Sequence, residues 1–322
     1  MPYTNAQATP RSDIYALVQQ ANADFGKLFI GDLVLPVKPE EVRRGVYLKA
    51  NLANAELLNA DAQAREGGAG YNRVNRRFDT DTFDCQEYGL ESVVDDSYEA
   101  EVERFMNLEA TEAMLLERSL RISYEARVAA AIINTSTFDS NNAKVAYTAD
   151  LFATTDPAQD IDAAKTVLLK RGIIANAVCM SQNVFNRVRR ATLMQNQIYG
   201  VVPRGANQRA LPNEQDVAQA LGVETLYIGK APKNTAGKGL AFSGDFIWGS
   251  THIWVGQVAG GEYTAGGVGR TIQWSKDTTG LFTPETYRSD ERRSNIMRVR
   301  QTVVEKIIDS TAGTLIATSY TA

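Results

Sequence analysis

The chain holds a single histidine among its 322 residues, so imidazole chemistry would have to pass through His252. That residue lies in WGSTHIW (248–254), which reads as a strand between aromatic side chains. A general base needs an orienting acid and a nucleophile within reach, and the neighbouring sequence supplies neither. His252 therefore reads as a satisfied structural residue, and so histidine-poor a chain argues against transition-metal catalysis. Asp79, Asp81 and Asp84 alternate like a solvated strand face, without the glycine and closing glutamate of a calcium loop. The run GGEYTAGGVG at 260–269 matches neither dinucleotide nor phosphate-loop spacing and reads as a flexible loop. Ser243, in AFSG, lacks the glycine two positions earlier that a nucleophile elbow requires. Cys85 and Cys179 stand far apart with no paired spacing, which suggests neither a disulfide framework nor a zinc motif. No catalytic residue, cofactor or metal is expected.

Arginine is the chemistry that does stand out. One group, Arg73, Arg76 and Arg77, sits at the end of a glycine-rich tip. A second comprises Arg288, Arg292, Arg293, Arg298 and Arg300, interleaved with Asp290 and Glu291. Guanidinium forks pair bidentately with carboxylates, which suits fixing neighbouring subunits in register. A solvated charged face and contact with nucleic-acid phosphates are the competing readings.

The elements that would position these groups hang on residues 96–134. Tyr98, Val102, Phe105, Leu108, Ala113, Leu116, Leu120, Tyr124 and Val128 recur in steps of three and four, a helical period. Asp96 with Glu99 predicts an acidic cap, and Arg118, Arg121 and Arg127 populate the far half, where cations suit the dipole. Uninterrupted by Gly or Pro, the run predicts one helix of about 55 Å, an exposed beam too long for a private core. Glu109 and Glu112 interrupt the seam that a coiled coil would need.

Before the helix, residues 1–26 form a polar arm with one apolar patch at Ile14, Leu17 and Val18, expected to order only against something else. Residues 27–37 read as extended. A strand through Val46–Leu52 and another from 78 flank the tip at 65–77, together making a long hairpin-like excursion with little apolar surface of its own. Its strand edges are expected to lie on a neighbouring copy. After the helix, 144–147 reads as extended. A compact α+β region then follows, with capped helices opening at Asp156-Pro157, Ser181 and Asn213, and strands at 177–180, 224–228, 246–254 and 270–274. The valine- and isoleucine-rich 296–309, a turn and 314–318 predict a terminal hairpin against the long helix.

Charged residues make up 22% of the chain, hydrophobic residues 44%, and net charge is -4. These values describe a soluble chain and argue against a protein whose main work is gripping nucleic acid. The N-terminus lacks a signal-peptide layout, and the longest apolar run, 128–133, is too short to span a bilayer.

Taken in order, the layout resembles the major capsid protein of tailed double-stranded DNA bacteriophages, with the Hong Kong 97-type fold. The stretches VCMSQNVFNRVRR (178–190) and ETYRSDERRSNIMRVR (285–300) have the character of phage coat proteins. The resemblance implies an α+β chain with an N-terminal arm (1–39), an extended loop (40–95), a peripheral domain with the spine helix (96–154 and 283–322) and an axial domain (155–282). It implies a structural, non-enzymatic virion protein, assembled in the host cytoplasm into hexamers and pentamers of an icosahedral head. Implied partners are further copies, a separate scaffolding protein, a portal, a decoration protein and packaged DNA held by weak non-specific contact, with no membrane. Arg73, Arg76, Arg77, Arg288, Arg292 and Arg293 are the expected subunit-interface residues. The tip at 65–77 contains no lysine, so the covalent crosslink of some members is not expected. An encapsulin-like compartment shell shares the fold and is the main alternative; an enzyme with an unrecognised site in 155–282 is the remote one.

Overall fold

The computed structural model describes residues 9–10, 14–15, 18, 20, 22–49, 58, 62, 64–68, 70–71, 79–102, 107–139, 156–200, 211–237, 239–277 and 280–318. Its organising strand is β13 (Ser294–Ile307). Along one edge it pairs antiparallel with β5 (Gln86–Asp95). On the other edge it pairs first with β12 (Thr283–Ser289) and then with β11 (Gly269–Trp274). The short β1 (Thr9–Pro10) extends the sheet beyond β12, and β2 (Val37–Glu40) lies parallel to β11 at the opposite margin. Pro39 sits in that marginal strand, where its missing N–H leaves no gap inside the ladder.

Period-two geometry sorts the side chains of β13. Met297, Val299, Gln301 and Val303 are buried on one face. Arg298 and Arg300 occupy the other, where both pair with Glu285. The buried face receives the long helix α4 (Leu108–Ile132), fixed by Tyr124 Oη to Thr271 Oγ1 at 2.8 Å and Arg127 to Glu305 at 3.0 Å. The Arg127 guanidinium also lies 3.8 Å from the centre of the Tyr88 ring.

The helix differs from expectation in length and exposure. Asn107 adopts an extended conformation and its side chain accepts the Ala110 N–H, so a new helix begins there. Asparagine competes with the helix interior by making this cap. The preceding helix, α3, spans only Asp96–Val102. Asp95 takes the capping role expected of Asp96, accepting from Ser97 and Tyr98 N–H groups. The 25 residues of α4 reach about 37 Å. They are covered on most sides, with a narrow exposed stripe at Leu115, Ser119, Ser123, Ala126 and Ala130.

A second sheet has the order β14 (Gly313–Ala317), β10 (His252–Gly256), β6 (Ala177–Ser181), β7 (Thr225–Gly229). β6 and β7 are parallel, joined through helices α6 (Gln182–Val188), α7 (Thr192–Tyr199) and α8 (Glu214–Ala220). Helix α5 (Pro157–Lys170) precedes them, capped by Asp156, while Asn213 and Asp216 make a reciprocal capping box on α8. The expected terminal hairpin does not form. β14 leaves β13 and pairs with β10, so the last strand closes the second sheet instead. The expected strand at 246–254 is likewise two pieces, β9 (Gly244–Phe246), which pairs with β8 (Pro232–Asn234), and β10, split by a turn.

The N-terminal patch packs on its own chain: Ile14 and Val18 are buried with Val94, Leu108, Ala113 and Met297. After the short helix α1 (Ala23–Gly26), the stretch expected to be extended contains helix α2 (Gly31–Val34), and its placement depends on one side chain. Glu125, on α4 and fully buried, accepts the Ile30 N–H at 3.0 Å, the Gly31 N–H at 2.8 Å and the Trp248 indole N–H at 2.5 Å. Burial pushes its carboxyl up, against the pull of the three donors. A methyl on Gly31 would lie 2.6 Å from Glu125 Oε2, and one on Gly229 would lie 2.2 Å from the Trp248 ring, so both glycines are required by space.

Removing the carboxylate strands three buried N–H groups. Glu125→Ala should destabilise the chain by roughly 3–5 kcal/mol in urea unfolding. Glu125→Gln, which turns an NH2 on N–H donors, should lose much of the same. Gly31→Ala should also lower the midpoint, by displacing the carboxylate. An unchanged midpoint for Glu125→Ala would show that these contacts do not hold the elements together.

Candidate assembly surfaces

The end of β12 and the turn that follows it carry three of the six arginines singled out in the sequence: Arg288 on the strand, Arg292 and Arg293 at the turn. Arg288 forms a bidentate pair with Asp96, 2.5 and 2.7 Å, with the Asn295 side chain alongside at 3.3 Å. That contact holds the Asp96 carboxyl below its ordinary value. Arg292 and Arg293 are exposed at the turn. Arg293 adopts φ 46°, ψ 47°, the left-handed region that side chains seldom occupy. Neither guanidinium makes an ion pair among the described residues. Arg298 and Arg300 are held inside the sheet: buried Glu285 accepts from both, and Arg300 also reaches Asp277 at 2.5 Å. Burial works to raise the Glu285 carboxyl, but its two arginines outweigh that and keep it low.

The hairpin is present at its base, where β3 (Arg44–Lys49) and β4 (Asp79–Asp84) pair antiparallel. Its two faces differ. Tyr47 and Phe83 are buried with Cys85, Ile272 and Ile308. Tyr47 stacks on Tyr263 at 4.8 Å and donates a hydrogen bond from its hydroxyl to Asp81, which also pairs with Lys306 at 3.1 Å. The base is thus seated on its own chain. The apolar alternation read from the sequence faces outward, with Val46 67% and Leu48 51% exposed. Beside them a groove of about 590 Å³ runs between Val46, Phe83, Val304 and Lys306. Arg73, Arg76 and Arg77 lie outside the described residues, as does 144–147.

The residues screened for catalysis occupy other settings. His252 Nδ1 lies 2.9 Å from the Thr251 hydroxyl, and burial lowers its affinity for a proton. Ser243 is engaged with Thr235 across a small hairpin. Cys85 and Cys179 are buried; burial pushes the Cys85 thiol up to about 11 and Cys179 well up, so both are held as thiols rather than nucleophilic thiolates. Among the described residues no cluster of histidine, cysteine and carboxylate could hold a metal, and no helix is long and apolar enough to cross a membrane. The glycine-rich run is not a free loop. The buried guanidinium of Arg270 donates to the carbonyls of Gly266 and Gly269 at 2.8 Å, and of Gly260 and Glu262 at 3.4 Å, wrapping the run around one cation. Five fixed donors suit a turn whose carbonyls converge. The sequence signal was only an arginine directly after the last glycine.

No protein-family model matches the chain, and no curated protein matches it by sequence. Solved structures do match in fold. A phage-related protein from Bordetella bronchiseptica RB50 aligns over 96% of this chain and 97% of its own, at 17% identity and a TM-score of 0.67. The capsid structure of the cyanophage P-SCSP1u aligns over 89% and 87%, at 10% identity and 0.56. A virus-like particle from Pyrococcus furiosus aligns over 95% and 98%, at 8% identity and 0.52. These likenesses cover nearly the whole chain, and on them it has the Hong Kong 97-type capsid fold.

Proposed function

We propose that this chain is the shell subunit of a tailed-phage head, self-assembling into hexamers and pentamers around double-stranded DNA. The observation that carries the reading is the near-full-length match to a phage capsid structure, 89% of this chain on 87% of that one. A structural rather than catalytic role also fits a chain whose single histidine is hydrogen-bonded, among the described residues, to the neighbouring Thr251 hydroxyl. A net charge of -4 suits weak, non-specific contact with DNA that must enter and leave. The virion would be its working location, with a separate scaffolding protein, a portal and a decoration protein as partners. Residues 40–95 would be the extended loop, its base and β5 held on its own chain and the outward Val46 and Leu48 turned toward a neighbour. The arm (1–39), the peripheral domain (96–154 and 283–322) and the axial domain (155–282) complete the proposed division. The likeness to a Pyrococcus furiosus virus-like particle favours a second reading, a compartment shell of the same fold.

The chain produced alone or with its neighbouring gene products should give closed particles by negative-stain microscopy. Nuclease-protected DNA in them supports the phage head, copurifying protein cargo the compartment, and persistent monomer refutes both. Arg292 and Arg293, exposed at the turn, together with Arg73, Arg76 and Arg77, are proposed interface residues. Charge reversal at Arg292 and Arg293 should leave the melting temperature close to the parent's and reduce particle yield; loss of thermal stability without loss of assembly would refute that role. Arg288, already committed to Asp96, should show the opposite order when replaced by alanine, with local destabilisation first. Deleting residues 66–75 should leave folded, soluble chain that does not close shells, and normal particles from it would remove the loop from the mechanism.

A further inference from the structure

We infer that Arg270 is the positioning residue of the β3–β4 hairpin: through the glycine-rich run at 260–269 and Tyr263 it sets the direction in which that hairpin leaves the body. The positioning is a property of the single chain, and only its consequence for assembly rests on the shell reading. The hairpin needs outside support, because two strands alone are marginal in water. Its apolar support is the face carrying Tyr47 and Phe83, buried with Cys85, Ile272 and Ile308. Tyr47 also meets the glycine-rich run directly. Its ring stacks on Tyr263, with 4.8 Å between centres and 29° between planes. Tyr263 is itself held from β2, the strand just before the hairpin. Its hydroxyl donates to Glu40 at 2.9 Å, and Lys38 Nζ lies 4.6 Å from the centre of its ring while pairing with Glu262 at 2.9 Å.

The other hold on Tyr263 is one buried cation. Half of the run at 260–269 is glycine, so it has few side chains with which to fix its own course. Arg270 supplies the missing constraint. It donates to the carbonyls of Gly260 and Glu262 ahead of Tyr263, and to those of Gly266 and Gly269 behind it. The rigid fork thereby sets the separation of the two ends of the turn that carries Tyr263. Gly267 shows how close the backbone comes: at φ 90°, a methyl there would lie 3.0 Å from Arg270 Nη1 and 2.8 Å from the Ala259 nitrogen. The guanidinium is well placed to act as a reference point. It is fully buried, and its own strand is locked to β13 with Arg270 opposite Lys306. Burying a cation is costly, and what this one contributes is the shape of the turn. The links therefore run from Arg270 to the wrapped backbone, to Tyr263, to Tyr47. Loosening the first lets the hairpin base tilt, and any tilt is passed to the chain beyond Lys49 and Asp79.

Spin labels at Leu48→Cys and Ser119→Cys, both exposed positions, measure the hairpin against α4 in the unassembled chain; native Cys85 and Cys179 are buried. The parent should give one narrow distance distribution. Arg270→Met keeps length without donors, and Arg270→Lys keeps charge without the fork. Each should shift the distribution or broaden it about twofold or more. Tyr263→Leu cuts the same link at its far end, on a half-buried side chain, and should reproduce the change even where the Arg270 variants do not fold. Glu125→Gln, which weakens the chain elsewhere, should melt lower and keep the parental distribution. An unchanged distribution in Arg270→Met or in Tyr263→Leu overturns the positioning role, as does full rescue by lysine or an equal change in Glu125→Gln. Absence of particles from the parent sinks the shell reading and leaves this distance measurement standing.

Discussion

The fold depends on one buried carboxylate. Glu125 gathers a backbone pair from the N-terminal stretch and an indole N–H from the turn before β10 onto the long helix. Three pieces of chain that share no local sequence signal are thereby fixed at one point. A charge-assisted acceptor is worth more than a neutral one, and it is costly to leave its donors unmet. The surrounding apolar residues, Tyr124, Val128 and Ile132 among them, form a continuous cluster from α4 into the second sheet. Packing supplies the area, and the carboxylate supplies the register in which that area meets.

Charge is arranged on the same principle elsewhere. Arg270 collects four carbonyls, Arg300 bridges Glu285 and Asp277, Arg288 clamps Asp96, and Arg127 joins Glu305 while lying on Tyr88. Most of the arginines that stood out in the C-terminal sequence thus have intrachain partners. Those left over, Arg292 and Arg293, stand at a turn where one of them occupies a backbone conformation unusual for its type. A buried or clamped guanidinium fixes the subunit's own shape. An exposed one at a rigid turn is available to a neighbour, and sequence alone does not separate the two.

What was legible follows the range of the interaction. Helix starts at Asp156-Pro157, Ser181 and Asn213 were readable because the capping atoms lie within three residues. The all-buried β6 was readable from its unbroken apolar run. Asn107 carried a local signal too, but helical periodicity on both sides masked it. Helix Gly31–Val34 could not be read, since its first N–H groups find their acceptor 94 and 95 residues away. The same holds for β14, whose Leu315 and Ile316 suit either sheet and are assigned by Trp254 and Ile253 opposite. Among the selected surface residues, the separation of Arg288 from Arg292 rests on Asp96, 192 positions away.

The exposed apolar side chains then acquire a common logic. The chain covers some apolar groups even in unpromising stretches, burying Ile14 and Val18 from a polar N-terminal stretch. Yet Val46 and Leu48 face out from a hairpin whose other face is tightly seated, and Leu240 and Phe242 face out from the β8–β9 hairpin, braced by its own hydrogen bonds. Flexible segments can turn apolar side chains inward; these two are prevented from doing so by the bracing itself. Rigidity that keeps apolar surface in water lowers the ordering entropy still to be lost when a partner arrives. A shell subunit, as proposed, would gain from such bracing, because less ordering would remain to be done when copies meet.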